Sequence, residues 1–229
     1  MMAKSPGPHQ LVLALGHAES FAREDFIAGP SNEAALALVE RWPDWPSRIM
    51  VLVGPKGAGK SHLTAIWGAA AGARFISARA LDEASVPAAL AAGTLVVEDL
   101  AEGGFDERAL FHLLNVARED RAHVLITAQS APAGWQIALP DLRSRLREAP
   151  TVTLAPPDDG LLRAVLVKLF ADRQLAVEES LITYLVARME RSLAAAAELV
   201  AALDRAALAQ KRPVNRGLAA ELLRNEPPE

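Results

Sequence analysis

Two textures of apolar residues divide the sequence. Between residues 49 and 154, short apolar runs alternate with longer amphipathic stretches: Ile49–Val53, Ala73–Ser77, Thr94–Val97, His123–Thr127 and Thr151–Leu154. Among these runs, Thr94–Val97 has the make-up of a buried strand of a parallel sheet. Between them the period lengthens to that of a helix. Leu110, Leu113, Leu114 and Ala117 share one face of a helix expected over 106–119. Further helices are expected over 33–42, 62–71 and 80–92, the first with Ser31 or Asn32 as N-cap. Strands alternating with helices at this interval predict an α/β fold: a three-layer αβα domain on a parallel five-stranded sheet.

The texture changes at Pro156-Pro157. Asp158 and Asp159 can cap a helix carrying Leu161, Leu162, Val165, Leu166, Leu169 and Phe170 at the 3.6 period. Three more helical patterns follow, the third running from about Ser192 to Ala209. The expected organisation is a leader over 1–20, an αβα domain over 21–155 and a small all-helical domain over 156–229 that closes over the first as a lid.

The first strand runs into Gly54-Pro55-Lys56-Gly57-Ala58-Gly59-Lys60-Ser61, and a helical pattern beginning with His62 follows. Strand, glycine loop and helix form the setting in which G-x-x-x-x-G-K-[ST] cradles phosphate. Glycine permits the backbone angles that turn successive N–H groups inward around phosphate oxygens. The following helix adds the positive end of its dipole. Lys60 is placed to reach the β- and γ-phosphates, and the Ser61 hydroxyl to bind Mg²⁺. The third strand ends in Glu98-Asp99, at the sheet edge where open α/β sheets bind ligands; carboxylates there are expected to hold Mg²⁺ and its attacking water. Phe26 and Ile27 are candidates to flank a purine ring, with plain core packing as the alternative. The fourth strand closes with Thr127-Ala128-Gln129 at the same sheet edge.

Composition narrows the chemistry. The 229 residues are 51% hydrophobic, with no cysteine, which excludes disulfides, thiolate metal sites and a cysteine nucleophile. The five histidines show no close ligand spacing. A net charge of −4 gives no overall electrostatic case for gripping DNA. Leu11–Leu15 is too short for a signal or membrane anchor, so a soluble, cytoplasmic protein is expected. Residues 1–8, with Lys4, Pro6, Gly7 and Pro8, read as a flexible leader. Behind them, Gln10-Leu11-Val12-Leu13-Ala14-Leu15 reads either as an edge strand or as a docking peptide. Its Gln10, Leu11, Leu13 and Leu15 resemble the Q-L-x-L-x-L motif with which bacterial proteins bind the replicative sliding clamp.

Four segments together resemble the AAA+ ATPases of the bacterial replication-initiator (DnaA) group. They are Phe26-Ile27-x-Gly29-x-Ser31-Asn32, Gly59-Lys60-Ser61-His62-Leu63, Leu142-Arg143-Ser144-Arg145-Leu146 and Pro156-Pro157 entering the lid. The resemblance implies an AAA+ P-loop domain with a helical lid, in which Arg145 is an arginine finger acting in trans. Initiators continue past the lid into a DNA-binding domain, whereas this sequence stops at Glu229. With the clamp-like leader, the resemblance narrows to the Hda-type regulatory inactivators. It implies bound ADP (or ATP) with Mg²⁺, the initiator ATPase and the sliding clamp as partners, and no sequence-specific DNA binding. Homo-oligomers are compatible with it.

Three departures qualify the resemblance. The family's sensor position after the fourth strand falls near Gln129, with Thr127 as the alternative polar group. The usual Asp-Asp pair is Glu98-Asp99, and the lid arginine that senses phosphate falls in Ala194-Ala195-Ala196-Ala197, one turn after Arg191. ATPase activity of its own is therefore expected to be weak or absent. The alternative expectations are a self-sufficient AAA+ ATPase such as a helicase loader, and a small-molecule phosphotransferase.

Overall fold

A computed structural model describes residues 21–225. Its sheet is parallel and five-stranded: β1 Ile49–Val53, β2 Arg74–Ser77, β3 Thr94–Leu100, β4 His123–Ala128 and β5 Thr151–Thr153, in the order β2-β3-β4-β1-β5. Helix α1 Glu33–Glu40 precedes β1, and the crossovers carry α2 Lys60–Ala71, α3 Val86–Leu90, α4 Glu107–Glu119 and α5 Pro140–Glu148. Four lid helices follow: α6 Asp159–Asp172, α7 Glu179–Val186, α8 Leu193–Gln210 and α9 Arg216–Asn225.

Alternate residues of each buried strand feed opposite cores, as the two-residue side-chain period requires. Met50 and Leu52 pack with Leu63 and Trp67 of α2 and Leu36 of α1. Val51 and Val53 pack with Leu110 and Leu113 of α4 and Leu142 and Leu146 of α5. The phosphate-loop helix and the arginine-bearing helix α5 therefore cover opposite faces of the sheet. A third core belongs to the lid, where Leu166, Phe170, Leu185, Leu199, Leu203 and Leu218 are buried together.

Two local expectations are corrected. The expected helix over 80–92 is two short 3-10 turns and the single five-residue helix α3. Pro87 sits in its first turn, and the Asp82–Ser85 capping box starts the second 3-10 turn instead of a longer helix. Asn32 occupies the N-cap position of α1, but its side chain makes no capping bond. Its carboxamide accepts from the Gly29 amide at 2.9 Å and donates to the Ile27 carbonyl at 3.0 Å. Asn32 is thereby spent on shaping the Phe26–Gly29 loop beside the phosphate loop.

Candidate nucleotide site

The carboxyl ends of β1, β3 and β4 open into a cavity of about 710 Å³ between the sheet and the lid. Its walls include Phe26 and Ile27 from the Asn32-shaped loop, Gly57, Lys60 and Ser61 from the phosphate loop, Asp99 after β3 and Gln129 after β4. The expected nucleotide residues Lys56, Gly59 and His62 line it as well. Gly54, Pro55 and Ala58 complete the loop behind them; Gly54 and Ala58 are buried.

The loop owes its shape to its glycines. Gly57 has φ +73° and Gly59 φ +101°, a region that costs other residues about 1–2 kcal/mol. A Cβ on Gly57 would also fall 1.9 Å from the Ser192 hydroxyl of the lid. Gly59 is the N-cap of α2 and supplies no side-chain cap, so the first-turn amides of α2 keep their hydrogen-bonding capacity for an anion.

Lys60 is 8% exposed and donates from Nζ to the carbonyls of Gly54 at 2.7 Å and Pro55 at 2.9 Å. Burial lowers its pKa, and the nearby Asp99 works in the opposite direction. A buried ammonium held by neutral carbonyls is a fitting partner for phosphate oxygens, which restore the charge balance. The cradle thus fits a nucleotide polyphosphate.

Asp99 has φ +55°, where the pairing of β3 with β4 shifts register between Val97 and Leu100. Its amide donates to the buried Thr127 hydroxyl at 3.0 Å. A bulge of this kind re-aims side chains at a sheet edge. Thr127 therefore buttresses Asp99, while Gln129 lines the cavity. Glu98 is half-buried, and burial, then the charge of Asp99, raises its pKa. Asp99 and Ser61 share the cavity wall with Lys60, whereas Glu98, one residue before Asp99 and expected beside it, is not among the residues that line the cavity. Hydroxyl and carboxylate oxygens form a hard donor set that fits Mg²⁺, bound together with phosphates.

His62 stands edge-on to Phe21 and Phe26, with ring centroids 5.4 and 5.1 Å away. Its Nε2–H donates to the Ala22 carbonyl at 2.9 Å. The apolar side of the cavity is therefore aromatic and pinned to α2, a surface suited to the face of a purine.

The lid meets the loop directly: the Leu193 amide donates to the Gly57 carbonyl at 2.8 Å. Ala194 and Ala197 face the cavity where the resemblance places a lid cation, and Arg191 is instead paired with Asp159 at 2.7 Å. Lid residues Lys168, Asp172, Arg173 and Glu198, absent from the sequence-level site, also line the cavity. The signal was available in α6. Val165, Leu169 and Phe170 all match the apolar period, yet only Phe170 is fully buried, so the helix carries a second face that is partly apolar and partly charged.

Arg145 is not among the cavity residues. It is half-buried on α5, with its guanidinium carbon 5.5 Å from the centroid of the Phe111 ring. Gln10, Leu11, Leu13 and Leu15 lie outside the described residues.

Over 176 residues the chain is 30% identical to the chromosomal replication initiator protein DnaA of Caulobacter sp. (strain K31), spanning 66% of this chain and 36% of the initiator. The Caulobacter vibrioides initiator is 29% identical over the same length. The chain thus spans about a third of the curated relatives it matches. Domain III of Thermotoga maritima DnaA superposes with a TM-score of 0.72 at 18% identity, covering 90% of this chain and 96% of that domain. The fold is that of a DnaA-like AAA+ domain. AMPPCP-bound DnaA from Aquifex aeolicus gives a TM-score of 0.65 at 18% identity, over 80% of this chain and 65% of that one. The Thermotoga maritima RuvB Holliday junction branch migration motor gives 0.71 at 17% identity, over 90% and 72%. No family model matches the chain. Among the described residues, no helix is long and apolar enough to cross a membrane.

Proposed function

We propose that this DnaA-like AAA+ protein is a regulatory inactivator of replication initiation. In this reading it holds a purine nucleotide, ADP in its resting state, with Mg²⁺ at Ser61, Asp99 and Glu98. It docks on the sliding clamp through Gln10, Leu11, Leu13 and Leu15, and offers Arg145 to ATP bound by the replication initiator. The observation that carries the reading is the division of charge across the sheet. The cavity side has a complete phosphate loop but alanines on α8 where the lid was expected to supply a cation. The opposite face carries Arg145 on α5, packed on a different core from α2. In this reading a nucleotide in the protein's own cavity is bound with weakened sensing of the γ-phosphate, and Arg145 serves a nucleotide held by a neighbour. The AMPPCP held by the Aquifex aeolicus neighbour supports nucleotide as the ligand class.

A guanidinium suits the role because it stays charged and spreads hydrogen bonds over a transferring phosphoryl group. The test is single-turnover hydrolysis of initiator-bound ATP in the presence of clamp loaded on DNA. Arg145→Ala is expected to retain ADP and clamp binding while losing the stimulation, which for arginine fingers reaches about 10³-fold or more. Arg145→Lys is expected to rescue poorly. Full stimulation by Arg145→Ala overturns the role of this residue and moves attention to Arg143 and Arg147. Turnover of ATP by the purified protein alone would favour the self-sufficient ATPase instead.

A further inference from the structure

Beside Phe26 and Ile27, the cavity is closed by a contact between the core and the lid. Lys168 Nζ, on α6, lies 2.6 Å from Asp25 Oδ1 and 2.7 Å from Asp172 Oδ2. Asp25 ends the short 3-10 turn that immediately precedes Phe26, so one ammonium joins the core's aromatic wall to the lid helix. Among ion pairs between described residues, Asp25–Lys168 alone links residues 21–155 to the helices α6–α9. The side chains of Lys168 and Asp25 are 27% and 25% exposed, so the pair is largely withdrawn from solvent at the cavity rim.

The donor count argues against Lys168 as a phosphate ligand. Two of its three N–H donors are already spent on the carboxylates of Asp25 and Asp172. Its position instead bears on α6, whose Val165, Leu169 and Asp172 form part of the lid wall of the cavity.

We infer that the Asp25–Lys168 pair is a latch that holds α6 against the core and so sets how long a nucleotide stays in the cavity. Lys168 acts as a positioning residue. The inference rests on nucleotide occupying this cavity, as proposed above. The hydrogen bonds that Lys168 donates to Asp172 and Asp25 raise its pKa, so the ammonium persists throughout the neutral range.

The test is release of a fluorescent ADP analogue from the full chain, chased with unlabelled ADP. Lys168→Asp and Asp25→Lys should each speed release roughly three- to tenfold at low salt, the range expected for reversing one charge of a partly screened pair. The exchanged double variant, with Lys at 25 and Asp at 168, recreates an ammonium between two carboxylates. It should return release to within about twofold of wild type, the signature of direct coupling. The difference between each single variant and wild type should shrink as salt is raised. Asp25→Asn, also expected to speed release, provides a milder version of the second arm if Asp25→Lys does not fold. Single variants that release at the wild-type rate overturn the latch. A double variant as fast as Lys168→Asp alone also overturns it, making Lys168 a direct nucleotide ligand. Wild-type protein that fails to take up the probe would instead overturn the nucleotide reading itself, a result recognisable because no release phase exists.

Discussion

Thr127 holds Asp99 in a left-handed conformation. The Asp99 amide donates to the Thr127 hydroxyl at 3.0 Å across the β3–β4 step where register is lost, with Asp99 at φ +55°. A non-glycine residue in that region stores strain on the order of 1–3 kcal/mol and persists only where its surroundings impose it. Thr127→Val keeps the shape but removes the acceptor. It is expected to destabilise the protein by about 1–3 kcal/mol, the cost of leaving the amide unpaired, and to weaken Mg²⁺-dependent nucleotide binding. Gln129→Ala, at an exposed cavity position, is expected to weaken nucleotide binding with no change in the nucleotide-free melting temperature. Paired melting curves and ADP titrations check both; equal melting temperatures for Thr127→Val and wild type would reject the buttress.

Gly57→Ala should damage the phosphate loop and the lid contact together. The new methyl would meet the Ser192 hydroxyl, whose oxygen caps α8 by accepting from the Ala195 amide at 3.2 Å. Positive φ adds about 1–2 kcal/mol of strain. Loss of detectable ADP binding and a lower melting temperature are expected. Calorimetric titration and thermal shift measure the two effects, and retained tight binding would show that the lid does not press on the loop.

Glu98 makes a pH-dependent prediction. Its pKa is raised above 4.5 by burial and then by Asp99, so in the nucleotide-free protein the folded state holds this proton to higher pH than the unfolded chain does. Between 4.5 and the folded-state pKa the native state binds more protons, so stability falls as pH rises through that window. Glu98→Gln removes this loss. Its melting temperature is expected to exceed that of wild type by a margin that opens above pH 4.5 and levels off once Glu98 is ionised in both states. The same variant should bind nucleotide with less dependence on Mg²⁺. A margin independent of pH would assign the stabilisation to something other than this carboxyl.

The clamp proposal stands on Gln10–Leu15 alone. Gln10→Ala combined with Leu13→Ala is expected to abolish co-elution with the sliding clamp and leave the ADP-induced rise in melting temperature unchanged. Normal co-elution of the double variant would remove the peptide from the mechanism.

The sequence by itself determined the sheet and the loop that serves it. Strands buried on both faces must be largely apolar, so β1, β3 and β4 stand out by the runs Ile49–Val53, Leu95–Val97 and Val124–Ile126, and five strands separated by helices leave a parallel α/β sheet as the natural arrangement. The phosphate loop was equally legible, because its glycines answer a backbone demand that few other residues meet. Local signals failed where a side chain had a distant partner. Asn32 looked like a helix cap, but it spends its carboxamide on Gly29 and Ile27. Only the tertiary structure decided that the Ser192 end of α8 presses on Gly57, that Thr127 supports Asp99 rather than facing the cavity, and that Lys168 reaches Asp25, 143 positions away in the chain. Each of these joins residues that no short-range period relates. The Thr127–Asp99 pair follows from the shifted pairing of β3 with β4, while the other two depend on how separately formed cores, one on the sheet and one in the lid, are brought face to face.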